Sequence, residues 1–272
     1  MISAPYRRNP WILAGCLWLG LAYAFMFLPL VVLVLFSFQK NRFPGFPLQG
    51  FTLQWYDKVF SDGTLLKALG NTMVVSPAAA TVATVIAFFA AYAFNRFTFR
   101  GKTTFLALVT LPILIPPLIL GVGFLGLLAR LHLSGTLFAV FLTHVVLITA
   151  PALAIIQLRL AQMPAALEEA AWDLGATEWQ AVTKVVLPFA LPGIFGAWLL
   201  AFTFSFDEFI IAWFVSGFQP TLPVAIYSVL VAAIDPSLNA IGTIVFGISC
   251  LVLIGLELVL LPLLVGRPDK QS

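Results

Sequence analysis

Long apolar runs, each almost free of charge, set the pattern of this chain. They predict spans at about residues 11–38, 68–95, 103–129, 133–158, 188–215 and 237–266. Each covers the roughly 20 residues that a helix needs to cross about 30 Å of hydrocarbon. The runs are apolar on every face and lack the two-residue alternation of barrel strands, so helices are the predicted spanning elements. Two regions break the pattern. Gly217, Gln219, Pro220 and Pro223 interrupt the uncharged stretch 209–234, and Pro112, Pro116, Pro117, Gly121 and Gly123 interrupt the third run. A helix broken there exposes carbonyls that can line a cavity or hinge a gate. The plain alternative is that Pro and Gly are common in membrane helices anyway.

Composition agrees with the pattern. The 272 residues are 61% hydrophobic and 9% charged, against roughly 25% charged in a soluble globular domain. A water-soluble fold is excluded. The predicted class is an all-α polytopic membrane protein, a single transmembrane domain over 1–272 without internal repeat or attached soluble domain. An even number of spans puts both termini on one side. With the termini inside, Arg7, Arg8, Arg96, Arg100, Lys102, Arg159, Lys184, Arg267 and Lys270 face the cytoplasm, and Lys40, Arg42, Lys58, Lys67 and Arg130 face out. Nine against five favours N-in, C-in by the positive-inside rule. The first run follows Arg7 and Arg8 but is too long for a signal-peptide core and lacks a small-residue cleavage site, so it is expected to be retained. The net charge of +3 is scattered, which argues against a nucleic-acid partner. Cys16 and Cys250 lie far apart in apolar runs and form no disulfide framework or metal cluster.

The informative hydrophilic segment is the cytoplasmic loop 159–188, above all PAALEEAAWDLGATEWQAVTKVVLP at 164–188. Leu167, Ala170, Ala171 and Leu174 recur at i, i+3, i+4, i+7 and form one apolar stripe. Pro164 suits a helix start and Gly175 a helix stop. Thr177 followed by Gln180 has the form of a capping box, starting a second short helix that Pro188 is expected to end. Glu168, Glu169, Asp173 and Glu178 stand against Arg159 and Lys184, a balance of minus two. Anionic lipid repels such a face. An acidic, apolar-striped hairpin is therefore expected to seat in a groove of a partner protein, the alternative being a solvated loop with an incidental stripe.

These residues also carry a family resemblance. Glu169-Ala170-Ala171, three residues, Gly175, nine residues, then Val185-Val186-Leu187-Pro188 resembles the EAA loop of ABC-importer permeases, with valine where isoleucine is usual. The stretches FRGK, PFALPGIFGAWLLAFTFSFDEF and LPVAIYSVL are similar in place and type to the spermidine/putrescine, PotC-like, permeases, the binding-protein-dependent inner-membrane components. The resemblance implies a type I importer transmembrane domain in the bacterial inner membrane. It implies a coupling helix that sets Leu167, Glu168, Glu169, Ala170, Ala171, Asp173, Leu174, Gly175, Leu187 and Pro188 against a cytoplasmic ATPase. It also implies two copies of that ATPase, a second homologous permease chain and a periplasmic solute-binding protein. The solute implied is a polyamine, with other small organic ions or metal complexes as alternatives. No cofactor is expected in this chain, ATP and magnesium belonging to the partner.

Other features exclude rivals. Arg100-Gly101-Lys102-Thr103-Thr104 contains the GKT of a phosphate loop, but the position of the motif's first glycine is Arg96 and no strand is predicted before it. His132 and His144 lack the i, i+4 spacing of metal ligands on one helix face; His144 is expected to bond to a neighbouring helix. No acid, base and nucleophile converge as a membrane enzyme would need. A self-sufficient secondary transporter usually shows paired repeats, and none is evident.

Ionisable groups inside hydrocarbon are costly and call for a reason. Asp207 and Glu208 lie some 18 residues beyond Phe189, about 27 Å along a helix at 1.5 Å per residue. They are candidates for the substrate pathway, with simple interfacial exposure as the alternative. Being adjacent, they cannot share a helix face, so one is expected to face the channel and the other a neighbour. Phe206 and Trp213 are candidates for cation-π support. Glu257, in the last run, is expected to serve helix packing or an interface.

Overall fold

The computed structural model describes residues 10–43, 45–232 and 236–264. Expectations on Arg7, Arg8, Arg267 and Lys270 fall outside these residues, as do the end of the last predicted span and the side chain of Glu257. The described elements are helices: α1 (Pro10–Ser37), α2 (Gln54–Ser61), α3 (Gly63–Arg96), α4 (Lys102–Leu114), α5 (Pro117–Arg130) and α6 (Leu137–Leu160). There follow α7 (Ala166–Asp173), α8 (Glu178–Ala181), a π-helical turn Val182–Val186, α9 (Leu187–Asp207), α10 (Ile210–Val215), α11 (Leu222–Ala232) and α12 (Ser237–Leu264). Among the described residues, four helices are long and apolar enough to cross a membrane, or five if α4 and α5 count as one bent span. A sixth crossing depends on α12, whose 28 residues are about 42 Å long at 1.5 Å per residue.

The chain divides into two compact units. One contains α1, α2 and the first part of α12. Its α1 is exposed along most of its length, as a helix facing lipid would be. Where α1 ends, the Ser37 hydroxyl lies 2.6 Å from that of Tyr56 and donates to the Val34 carbonyl. The Trp55 indole donates to the Gln39 carbonyl at 2.6 Å, so the polar loop 38–53 is tied back onto α2.

The second unit, from α3 through most of α11, is built on α3, α6 and α9. Their facing surfaces are small: Ala79, Ala80, Ala83, Ala87 and Ala91 of α3, Ala152 of α6, and Ala190, Ala197 and Ala201 of α9 are almost completely buried. Small side chains let helices approach closely, which is how helices gain contact where lipid already solvates the apolar surface. Polar bonds add to this packing, and at mid-helix the Trp198 indole of α9 donates to Thr81 Oγ1 of α3 at 3.0 Å. At one end, Asn71 Nδ2 donates to the Pro220 carbonyl at 2.9 Å, and the Leu222 N–H donates to Thr72 Oγ1 at 2.8 Å. At the opposite end, Arg159 Nε of α6 donates to the Phe189 carbonyl of α9 at 3.0 Å, its guanidinium 4.2 Å from the Phe189 ring centroid.

One expected break is found and two predicted elements are corrected. The run 103–129, which its prolines and glycines are expected to interrupt, bends by 105° between α4 and α5. Ile115 and Pro116 are extended, with ψ of 132° and 130°. Each precedes a proline, whose ring disfavours helical backbone in the residue before it, and Pro117 then starts α5 where its missing N–H costs nothing. Pro112, by contrast, lies inside α4 without ending it. The run 188–215 is likewise divided, because Glu208 is extended between α9 and α10. Finally, Pro188 does not end the helix begun at Glu178; the helix continues from Glu178 to Asp207. The intervening turn is π-helical, the Leu187 N–H reaching the Val182 carbonyl, and the wider turn relieves the clash of a proline ring with the carbonyl four residues before it.

The bent pair is held by α5 docking on α10. A side chain at Gly121 would bring its Cβ to 2.6 Å from Cδ2 of Phe214, whereas Gly123 faces open space. Gly121→Leu is expected to cost about 1–3 kcal/mol through overpacking and Gly123→Leu to be neutral. Thermal unfolding of the two variants in detergent checks this, and equal midpoints would contradict the assigned contact.

Candidate functional site

Two places in the second unit combine polar groups with irregular backbone. The first is the loop hairpin of α7 and α8. Gly175 has φ +82°, the left-handed region that favours glycine. Its N–H reaches the Trp172 carbonyl at 2.8 Å and the Ala176 N–H reaches the Ala171 carbonyl at 3.0 Å, the paired bonds of a Schellman end. Thr177 then caps α8: the Gln180 N–H donates to Thr177 Oγ1 at 3.3 Å and the Thr177 N–H donates to Gln180 Oε1 at 3.0 Å. The turn predicted from Gly175, Thr177 and Gln180 forms by those bonds.

α7 has two faces. Leu167, Glu169, Ala170, Asp173 and Leu174 are exposed, Leu174 at 89%. Ala171 is half-buried. Glu168 is buried, its Oε2 lying 3.1 Å from Nε of Arg96 at the end of α3. The same guanidinium sits 4.4 Å from the centroid of the Trp172 ring. Glu168 thus turns into its own chain, unlike its neighbours in the motif. Leu187 and Pro188 fall at the junction with α9, Leu187 half-buried and Pro188 exposed. Arg159 and Arg96 are both engaged within the chain, so the exposed hairpin retains Glu169, Asp173 and Glu178 against Lys184 and stays acidic. Beneath α7, a cavity of about 210 Å³ is lined by residues including Tyr92, Asn95, Arg96, Met163 and Glu168.

The second place is the far end of α9. A cavity of about 570 Å³ lies between the α4–α5 bend (Pro112, Ile113, Ile115, Pro117), the end of α9 (Thr203, Phe204, Asp207), the break 208–210 and Leu147 of α6. Asp207 is exposed and lines it. Glu208 also borders it but turns inward: its carboxylate accepts from the N–H groups of Ile211 and Ala212 at 2.9 and 2.8 Å. It therefore caps α10, where the free N–H groups and the positive end of the dipole favour a carboxylate. Oε2 of Glu208 is 3.5 Å from Nε2 of buried His144, whose Nδ1 shares a 2.7 Å hydrogen bond with Ser205 of α9. His144 on α6 thus meets a neighbouring helix.

Phe206 and Trp213 are not brought to the cavity. Phe206 is buried beside Phe202, and Trp213 joins a cluster with Phe209, Phe214 and Tyr227. The rings at the cavity are Phe204 and Phe209. Phe204 and Thr203 stand three and four residues before Asp207 and so share its helix face, which a residue next to Asp207 in sequence cannot. That spacing was legible. Arg96 and Trp172, by contrast, come from separate segments with no spacing signal between them.

The GKT segment is no phosphate loop here: Gly101 precedes α4, and Lys102 Nζ donates to the Phe94 carbonyl of α3. Among the described residues no three His, Cys, Asp or Glu side chains are grouped to hold a metal ion.

Residues 83–265 match the family described as binding-protein-dependent transport system inner membrane component. The putrescine transport system permease protein PotI of Escherichia coli strain K12 is 33% identical over 255 residues, covering 91% of this chain and 89% of PotI. The spermidine/putrescine transport system permease protein PotC of Haemophilus influenzae is 33% identical over 250 residues, covering 92% of this chain and 95% of PotC. Among solved structures, the fold is similar to a chain of a bacterial ABC transporter involved in the import of the acidic polysaccharide alginate. That likeness has a TM-score of 0.70 at 18% identity and covers 96% of this chain and 98% of the other. It is also similar to a chain of the MetNI methionine ABC transporter, with a TM-score of 0.61 at 22% identity, covering 75% and 94%.

The two adjacent acids are predicted to separate in their effects. Glu208→Gln keeps one acceptor and loses the charge, and is expected to cost about 1 kcal/mol as a weakened cap. Asp207→Asn is expected to change stability by under about 0.5 kcal/mol, as at an exposed site. Thermal unfolding in detergent measures both, and an Asp207→Asn loss equal to that of Glu208→Gln would contradict the assignment.

Proposed function

Since the chain belongs to the family of binding-protein-dependent transport system inner membrane components, we propose that it is the permease subunit through which an ATP-driven importer takes up a polyamine. The solute, spermidine or putrescine, moves from periplasm to cytoplasm. The protein is a multi-pass component of the bacterial inner membrane. Six spans, with α12 as the last and both termini in the cytoplasm, fit the distribution of Lys and Arg.

The observation that carries the proposal is the two-faced α7. An exposed stripe of Leu167, Ala170 and Leu174, rimmed by Glu169 and Asp173, projects from a helix whose other face is held by α3. Acidic charge turns that stripe away from anionic lipid and suits it to a protein groove. Its occupant would be a cytoplasmic ABC ATPase, present in two copies, one for this chain and one for a second homologous permease. A periplasmic solute-binding protein delivers the polyamine. ATP and magnesium act in the ATPase. When ATP draws the two ATPases together, the hairpins move with them, and the helices joined to each hairpin tilt to expose the cavity outward.

The cavity at Asp207 suits the proposed solute. A polyamine combines ammonium charges with methylene spacers, and Asp207 beside Phe204 and Phe209 offers a counter-charge next to ring faces and apolar surface. Glu208 contributes indirectly, by holding the break that presents Asp207.

Two outcomes test the proposal. A leucine at position 175 must adopt a left-handed backbone at a cost of about 1–2 kcal/mol, so Gly175→Leu is expected to cut binding-protein-stimulated ATP hydrolysis on the order of tenfold while the chain still inserts. Normal stimulation would count against the hairpin as the contact. Asp207→Asn is expected to lower spermidine uptake in proteoliposomes by about tenfold with the complex still assembled. Unchanged uptake would remove Asp207 from the pathway.

A further inference from the structure

Through the backbone α7 is joined to α6 on one side and, by way of α8, to α9 on the other. The third helix of the alanine-packed trio, α3, has no such connection to it. Arg96 bridges that gap. It is the last residue of α3, and it meets two residues of α7 four positions apart, hence on one face. Its Nε is 3.1 Å from Oε2 of Glu168, and its guanidinium carbon is 4.4 Å from the centre of the Trp172 ring. The Glu168 side chain is 8% exposed, so its charge depends on Arg96 for compensation; removing one partner of a buried pair leaves the other uncompensated.

The character of this grip matters. Oε2 of Glu168 has no aligned hydrogen bond, and the buried Trp172 indole N–H has no acceptor among the described residues. Toward α7 the arginine is held by charge and ring face, and on α3 itself Tyr92, one turn back, also meets it. The cavity of about 210 Å³ beside Arg96 and Glu168 supplies space that a close-packed interior would deny. α7 is thus attached to α3 by a charge pair and a ring contact that border open space.

We infer that Arg96 is a positioning residue for coupling: through Glu168 and Trp172 it carries the displacement of α7 into α3, so that all three core helices move together when the hairpin is pushed. This rests on the assignment of the exposed face of α7 as the ATPase contact. The clamp lies on the opposite face, so docking and transmission are separable.

The test uses the whole importer in proteoliposomes, with its ATPase, second permease and binding protein, and spermidine as the probe. Docking is read from crosslinking of Ala170→Cys to the ATPase, and transmission from spermidine taken up per ATP hydrolysed. Arg96→Gln is expected to leave the crosslink unchanged and lower uptake per ATP about tenfold. Arg96→Lys, which keeps the charge, is expected to restore it to within about threefold of the parent chain. Adding Glu168→Gln to Arg96→Gln is expected to cause no further loss, since both remove one interaction. Unchanged uptake per ATP in Arg96→Gln overturns the inference. So does loss of crosslink and uptake together in both arginine variants, because Arg96 would then only hold the hairpin in shape. Failure of the crosslink with Arg96 intact overturns the assignment of α7 instead.

Discussion

Helices in a bilayer gain little from the hydrophobic effect on meeting, because lipid tails are as apolar as leucine. Everything in the second unit follows from how α3, α6 and α9 satisfy that constraint. They meet through alanines that are nearly inaccessible, where dispersion contacts accumulate because backbones come close. Polar bonds supplement them: Asn71 and Thr72 tie α3 to the segment around the start of α11, Trp198 of α9 donates to Thr81 of α3 at mid-helix, His144 of α6 meets Ser205 of α9, and Arg159 joins α6 to α9 at the other end. The functional elements hang from the two ends of this trio.

At one end hangs the hairpin, at the other the cavity, and both owe their form to backbone that departs from regular helix. A helix break inside a membrane frees N–H and C=O groups that lipid cannot satisfy. Each break here has a local solution. Glu208 accepts two N–H groups at the start of α10, Pro117 removes one donor at the start of α5, and the π-helical turn admits Pro188 without ending the helix. The cavity arises because the α4–α5 bend and the α9–α10 break are adjacent in space. Glu208 shows the economy of this arrangement, since the residue that repairs the backbone also presents its neighbour Asp207 to the open side.

Much of this was legible beforehand because it is local. The α7–α8 turn needed only Gly175, Thr177 and Gln180, whose bonds lie within five residues of one another, and the same bonds form in the structure. The depth of Asp207 followed from distance along the run, but the helix end did not: the predicted span 188–215 passes through it, and Glu208 divides that span. The failures have a common cause. Proline effects were assigned by residue type: Pro116 and Pro117 break the third run as expected, bending the chain by 105°, yet Pro112 is tolerated and Pro188 is absorbed. The outcome depends on what the neighbouring turns can do. Phe206 and Trp213 were chosen for nearness in sequence, whereas the helix carries Phe204 to the face of Asp207.

By itself the sequence determined the solvent, the helical class, the acidic striped hairpin and the family pattern, because each follows from composition or from spacing within a few turns. Only the tertiary structure decided which acid of each adjacent pair turns inward, Glu168 to Arg96 and Glu208 to α10. It alone brought the α4–α5 bend to the end of α9 and set Arg96 between Glu168 and Trp172. The partners in those contacts come from distant segments, and their proximity is fixed by how close the alanine faces of α3, α6 and α9 can come, a distance that no local pattern encodes.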